Sequence, residues 1–175
     1  MPTVDEARRQ YLANAQERGL RMISEHAPLR SVLTHLAATV EALAQGHVVS
    51  SILLLDREGL LRNGASPNLP ADYLDAIDRL KPDPEIGTCA AAAATGEVVL
   101  TPDFTADRRW AELRHLPLAL GFQGAWSQPI KDESGRVLGT FGTYFRERRE
   151  PTPAERETVA LLAGVAARAI ATARA

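Results

Sequence analysis

Only one cysteine occurs in the chain, Cys89. An internal disulfide and a cysteine-rich zinc site are therefore excluded, and a reducing compartment such as the cytoplasm fits. An excess of either charge is equally wanting: 20 Lys and Arg stand against 22 Asp and Glu, for a net charge of -2. The basic residues are interspersed with acids, so phosphates meet no broad positive field and nucleic-acid binding is excluded as a main activity. The best candidate for a membrane span, residues 159–171, is short and carries Arg168. The opening MPTVDEARRQ lacks the apolar core of a secretion signal. The expectation is a cytoplasmic protein with no membrane partner. Catalytic spacings are missing as well. Ser127 has no His and Asp at motif spacing, and no two of His26, His35, His47 and His115 sit four apart as helical metal ligands do. No catalytic residue or metal ligand is assigned, and the identity of any cofactor is left open.

Aromatic residues are few, 5% of the chain, and seven of them fall after residue 100: Phe104, Trp110, Phe122, Trp126, Phe141, Tyr144 and Phe145. The bulky lining of any cavity is thus concentrated around Gly121–Phe145. There, Phe122, Trp126, Gln128 and Ile130 alternate with Gln123, Ala125, Ser127 and Pro129, the two-residue period of a strand. Asp132-Glu133-Ser134-Gly135 supplies a turn. On the following strand Val137, Phe141 and Phe145 share one face, and Leu138, Thr140, Gly142 and Tyr144 the other. Gly139 and Gly142 mark places where a ligand or a helix approaches the backbone closely.

With 175 residues and 45% apolar content, the chain suits one domain. A polar helix is expected over residues 5–26, with a thin stripe of Tyr11, Ala15, Met22 and Ile23. Leu29, Val32, Leu33, Leu36, Ala37, Val40 and Leu43 predict a second, strongly amphipathic helix that starts at Pro28 and ends at Gly46. Residues 48–56 read as an inner strand, paired back onto 60–65. A short helix over 71–80, an Ala-rich helix closed by Gly96, a strand at 98–101 and a helix over 108–115 capped by Asp107 follow. Thr152-Pro153-Ala154-Glu155 is a capping box for a final helix whose stripe mixes small and large side chains. Antiparallel hairpins flanked by helices make an α+β, three-layer fold.

VSSILLLDREG, IGTCAAAAATGEVVLTPDF, the WAEL helix and GAWSQPIKDESGRVLGTFGTYF, in this order, resemble the GAF domain, a small-molecule sensing module related in fold to PAS domains. The resemblance covers about residues 28–172. It implies a central antiparallel sheet with terminal helices on one face and a ligand pocket on the other, roofed by the irregular middle segments. It also divides the chain into residues 1–27, a helix for dimerisation or signalling, and residues 28–175, the GAF domain with its C-terminal helix. Members that bind cyclic nucleotides carry an NKFDE signature, which has no counterpart here. Bilin-binding members use a cysteine commonly followed by His, whereas Cys89 precedes Ala90. Free methionine sulfoxide reductases of this fold resolve a sulfenic acid with a second cysteine, which this chain lacks.

The resemblance places the ligand site at Trp126, Tyr144, Phe104, Trp110, Thr88, Cys89 and Gln128. Two readings of Cys89 stand: a reactive thiol at a helix start, or a small buried hydrophobe. Trp126 is either a ligand contact or core. The functional expectation is a non-enzymatic sensor that binds a small molecule, pairs as a homodimer through its terminal helices and passes the signal to an effector. The alternatives are a methionine sulfoxide reductase-like enzyme using Cys89 and a pure dimerisation module.

Overall fold

Two capping boxes set where the long helices begin. In the computed structural model, which describes all residues from Met1 to Ala175, α1 (Val4–Ser24) opens at Thr3, whose hydroxyl accepts from Glu6 N–H while the Glu6 carboxylate accepts from Thr3 N–H. The same exchange between Thr152 and Glu155 opens α6 (Pro153–Ala173). The anticipated amphipathic helix is α2 (Leu29–Leu43), with Val32, Leu33, Leu36, Ala37 and Val40 buried. Each large side chain so buried contributes about 1.5–3 kcal/mol. These three helices cover one face of an antiparallel sheet made of β1 (Val48–Leu55), β2 (Leu61–Ala65), β3 (Val99–Thr101), β4 (Gly124–Lys131) and β5 (Val137–Phe145). Its order is β2-β1-β5-β4-β3, so the aromatic-rich β5 is central. The other face carries α3 (Ala71–Ile77), α4 (Cys89–Thr95), a 3₁₀ turn at Arg108–Trp110 and α5 (His115–Ala119). Asp107 caps only that single turn, because the chain breaks again before α5; the helix expected over 108–115 is therefore two short pieces.

The β4–β5 hairpin departs from the regular alternation at one residue. Beside the turn Lys131 pairs with Val137, but the next pair is Ile130 with Gly139, so Leu138 is an extra residue on β5. A bulge of this kind shifts the register by one and exchanges faces. Leu138 consequently joins the helix-side core with Phe141 and Phe145, while Val137 packs on the opposite side with Leu53, Ala90 and Ala93. The expected grouping of Val137 with Phe141 and Phe145 is corrected accordingly. Phe122 is corrected too: β4 starts only at Gly124, and Phe122 packs with Tyr144 under the roof rather than with Trp126.

The small faces of the terminal helices are used within the subunit. Leu12, Ala15 and Gly19 form the buried stripe of α1, and Tyr11, expected there, is exposed. A Cβ at Gly19 would lie 3.2 Å from Val165 Cγ1 and 3.5 Å from Leu36 Cδ2, which shows how closely α1 approaches α6 and α2. His35 closes the same seam, its Nε2 2.8 Å from the Ala15 carbonyl. Ala163 and Ala166, small residues of the α6 stripe, are buried in the helix-side core.

Candidate functional site

Between the sheet and the α3, α4 and 3₁₀ layer lies a narrow cavity of about 20 Å³ bordered by Tyr73, Thr88, Cys89, Trp110, Gly142 and Tyr144. Tyr144 comes from β5, where the alternation turns it toward the roof; Tyr73 descends from α3 to meet it. Their hydroxyls are 2.7 Å apart, and the rings meet edge to face with centroids at 5.8 Å. Burial pushes the pKa of both phenols up, so neither ionises near neutral pH. Phe122 packs on Tyr144 with centroids 5.2 Å apart, and Phe104 on Trp110 at 4.6 Å.

A chain of hydrogen bonds with one fixed direction pins the roof to the sheet. The Trp110 indole N–H can only donate, and it reaches Thr88 Oγ1 at 2.7 Å. The Asp107 carboxylate can only accept, and it takes the Thr101 hydroxyl at 3.0 Å. Thr88 must therefore donate to Thr101 across the remaining 2.7 Å link. Burial opposes ionisation of Asp107. Hydrogen bonds from the Arg109 side chain and backbone, the Arg109 charge and the Thr101 hydroxyl outweigh it and hold the carboxyl below its ordinary range. Gly87 N–H donates to the Arg109 carbonyl at 2.8 Å, fastening the segment that leads into α4.

Cys89 opens α4 and borders the cavity with partial exposure. Burial raises its thiol pKa, and the hydroxyls of Ser127 and Thr140 pull it only part of the way back. Neither hydroxyl has a nitrogen or oxygen partner, so the adjacent sulfur is the polar neighbour left to them. The close approach that the strand glycines implied is now assigned. A Cβ at Gly142 would lie 3.0 Å from Cys89 Sγ, and one at Gly139 would collide with the Leu53 carbonyl. At Gly142 the visitor is a helix, and at Gly139 it is the neighbouring strand.

Six of the seven residues expected at the site meet there: Tyr144, Trp110, Thr88, Cys89 and Trp126 border the cavity, and Phe104 lies behind Trp110. Gln128 does not border it. Register pairs Trp126 with Thr143 and Gln128 with Phe141, which turns both toward the terminal helices, and Trp126 is a member of the helix-side core. Tyr73, Ser127 and Thr140 were not singled out from sequence. Tyr73 carried a usable signal, as the one aromatic residue in the roof segment between residues 66 and 100. No three His, Cys, Asp or Glu side chains gather as a metal site would need, and no helix is long and apolar enough to cross a membrane.

Comparison with known proteins places this geometry. The family model for the GAF domain matches residues 26–171. The methyl sulfide methyltransferase-associated sensor of Methanosarcina acetivorans is 36% identical over 156 residues, 87% of this chain, although the chain spans only 16% of that protein. The GAF domain of a phosphoenolpyruvate-protein phosphotransferase from Coxiella burnetii superposes with a TM-score of 0.74 at 18% identity, covering 94% of this chain and 95% of that one. The free methionine-R-sulfoxide reductase of Neisseria meningitidis, solved with its substrate, has a TM-score of 0.72 at 16% identity and covers 99% and 93%. At such identities these structures establish the fold alone. A five-stranded antiparallel sheet between terminal helices and a roof of short helices, matched in sequence over residues 26–171, means that the chain belongs to the GAF domain family.

Proposed function

We propose that this chain is the sensory kind of GAF domain: it takes a small, uncharged molecule beneath the roof and reports occupancy through its terminal helices to an effector. The observation that carries this reading is the composition of the cavity wall. Nine of its 13 residues are hydrophobic, and its titratable members, Tyr73, Tyr144 and Cys89, are all held neutral by burial. Such a wall favours an apolar body with one polar end able to exchange hydrogen bonds with the tyrosine pair. About 20 Å³ holds little more than one water molecule, so a ligand must part Tyr73 from Tyr144 and lift α3. Binding and movement are therefore one event, and the ligand shifts the equilibrium only by its preference for the lifted arrangement.

The raised thiol pKa supports a non-enzymatic role for Cys89, since the thiolate is the nucleophile. The reductase alternative draws on fold alone. Dimerisation is proposed through the outer faces of α1 and α6, where Val4, Tyr11, Ala160 and Gly164 stay exposed. Residues 1–27 then act as the connecting helix, and a cytoplasmic setting suits the free thiol.

Native mass spectrometry of the purified protein, followed by thermal-shift screening of small neutral compounds, tests the proposal. A compound that binds only the folded chain must raise its stability, and Tyr144→Ala should abolish that gain. Robust reduction of free methionine sulfoxide by the unmodified protein, lost in Cys89→Ser, would overturn the sensor reading.

A further inference from the structure

On the helix side of the sheet lies a second, partly open cavity of about 170 Å³, lined by α1, α2, α6 and the floor of β4 and β5. Its apolar walls come from Val40, Leu43 and Val159. The polar groups around it are unbalanced. Trp126 and Thr143, 1% and 2% exposed, are paired across β4 and β5 on this face, and neither the indole Nε1 nor the Thr143 hydroxyl has a hydrogen-bond partner. Arg8 reaches over from α1, donating through Nη1 to Thr158 Oγ1 at 2.9 Å, while its buried Nε also lacks a partner. Indole and guanidinium N–H groups donate and never accept. Such donors left without acceptors are seldom tolerated in a protein interior.

Arg8 and Glu155 are the ionisable groups on this wall. Both Glu155 oxygens are already engaged, by the Arg149 guanidinium at 2.7 and 2.9 Å and by Thr152 N–H at 2.8 Å. Arg149 thus neutralises that carboxylate, and the charge left without a counterpart is that of Arg8. We propose that this cavity is a second ligand site, distinct from the one under the roof, which takes a short-chain carboxylate: the carboxylate accepts from Trp126, Thr143 and Arg8, and the hydrocarbon end lies against Val40, Leu43 and Val159. A guanidinium and a planar carboxylate match in charge and shape. The size is set by the volume, since a cavity of about 150 Å³ accommodates benzene; the body has about six heavy atoms or fewer. An occupant held by Arg8 of α1 and by β4 and β5 ties the N-terminal helix to the sheet, beside the α6 residue Thr158 that Arg8 already holds.

The chain has two tryptophans; Trp110 borders only the cavity under the roof and Trp126 borders both, so in a nitrogen-15 correlation spectrum the helix-side site is read as movement of the Trp126 indole N–H signal with Trp110 unmoved. Trp110 serves as the internal reference because its N–H is bonded to Thr88. Titration of the unmodified protein with sodium butyrate should move the Trp126 signal saturably, with a dissociation constant in the low-millimolar range, about what a ligand this small can reach. The Trp110 signal should stay in place. Butyramide, of the same shape without the charge, should bind about tenfold more weakly. Arg8→Gln should weaken butyrate about tenfold, and Thr143→Val, which keeps shape and removes a donor, several-fold. A stationary Trp126 signal, equal binding of butyrate and butyramide, or indifference to Arg8→Gln would each overturn the assignment. Movement of Trp110 alone would overturn it too, by sending the carboxylate to the other side of the sheet.

Discussion

Replacing Gly142 with alanine should reverse the sign of its effect according to what occupies position 89. The new Cβ would stand 3.0 Å from Cys89 Sγ, while its next neighbour, the Ser51 carbonyl, is at an ordinary 3.5 Å. Comfortable contact begins at about 3.5 Å, so α4 or the sulfur must retreat by roughly half an ångström. Overpacking of this order costs about 1–3 kcal/mol. Against it stands the gain of about 0.4–1 kcal/mol when alanine replaces glycine at a compatible backbone position; Gly142 is not among the glycines with positive φ. Gly142→Ala alone should therefore destabilise by roughly 0.5–2 kcal/mol. In a Cys89→Ala background the obstruction is gone, and the same change should stabilise by about 0.4–1 kcal/mol. Urea unfolding of the four proteins closes the cycle, with an expected coupling of about 1–3 kcal/mol. If Gly142→Ala has the same effect in both backgrounds, the contact between Cys89 and the floor of β5 does not carry the energy assigned to it.

Two further outcomes follow from the roof. Tyr144→Phe leaves the buried Tyr73 hydroxyl without its partner and should cost about 1–3 kcal/mol, whereas the Tyr73→Phe, Tyr144→Phe double variant should recover most of the loss; urea midpoints decide, and a double variant as unstable as the sum of its singles would refute the pairing. Asp107 has a folded pKa below its unfolded one, so its contribution is present in full above about pH 3.9 and fades as the pH falls through the lowered value. The stability gap between the unmodified protein and Asp107→Asn should thus be constant from pH 7 to about 5 and shrink toward pH 2, and a gap that widens on acidification would contradict the sign.

Local chemistry made much of the fold readable. Thr152 with Glu155, the stripe from Val32 to Val40, and Asp132 to Gly135 each name their own structure within a few residues. What was not readable depended on one residue. Continued without a shift, the pairing of Lys131 with Val137 would set Trp126 and Tyr144 on a common face; the extra residue at Leu138 sets them on opposite faces. Nothing in the sequence around Leu138 announces the bulge, since valine, leucine and glycine fit either register. The register therefore sends the side chains of Trp126 and Gln128 to the helix face. Where contiguous segments fix the placement, Thr88, Cys89 and Trp110 do meet at one cavity. The stripe of α1 was legible only in part for a related reason: it depends on Gly19, whose contribution is the space it leaves for Val165.

The pleat of β5 makes the strand a party wall. Thr143 faces the terminal helices and its chain neighbour Tyr144 faces the roof, with their Cα atoms separated by one peptide, about 3.8 Å. A tilt of the strand that lets something in beside Tyr144 moves Thr143 in the same stroke, without any relay through the distant ends of the helices. Thermodynamic linkage then imposes a symmetry on such a wall: the factor by which an occupant on one side changes affinity on the other is returned unchanged in the opposite direction.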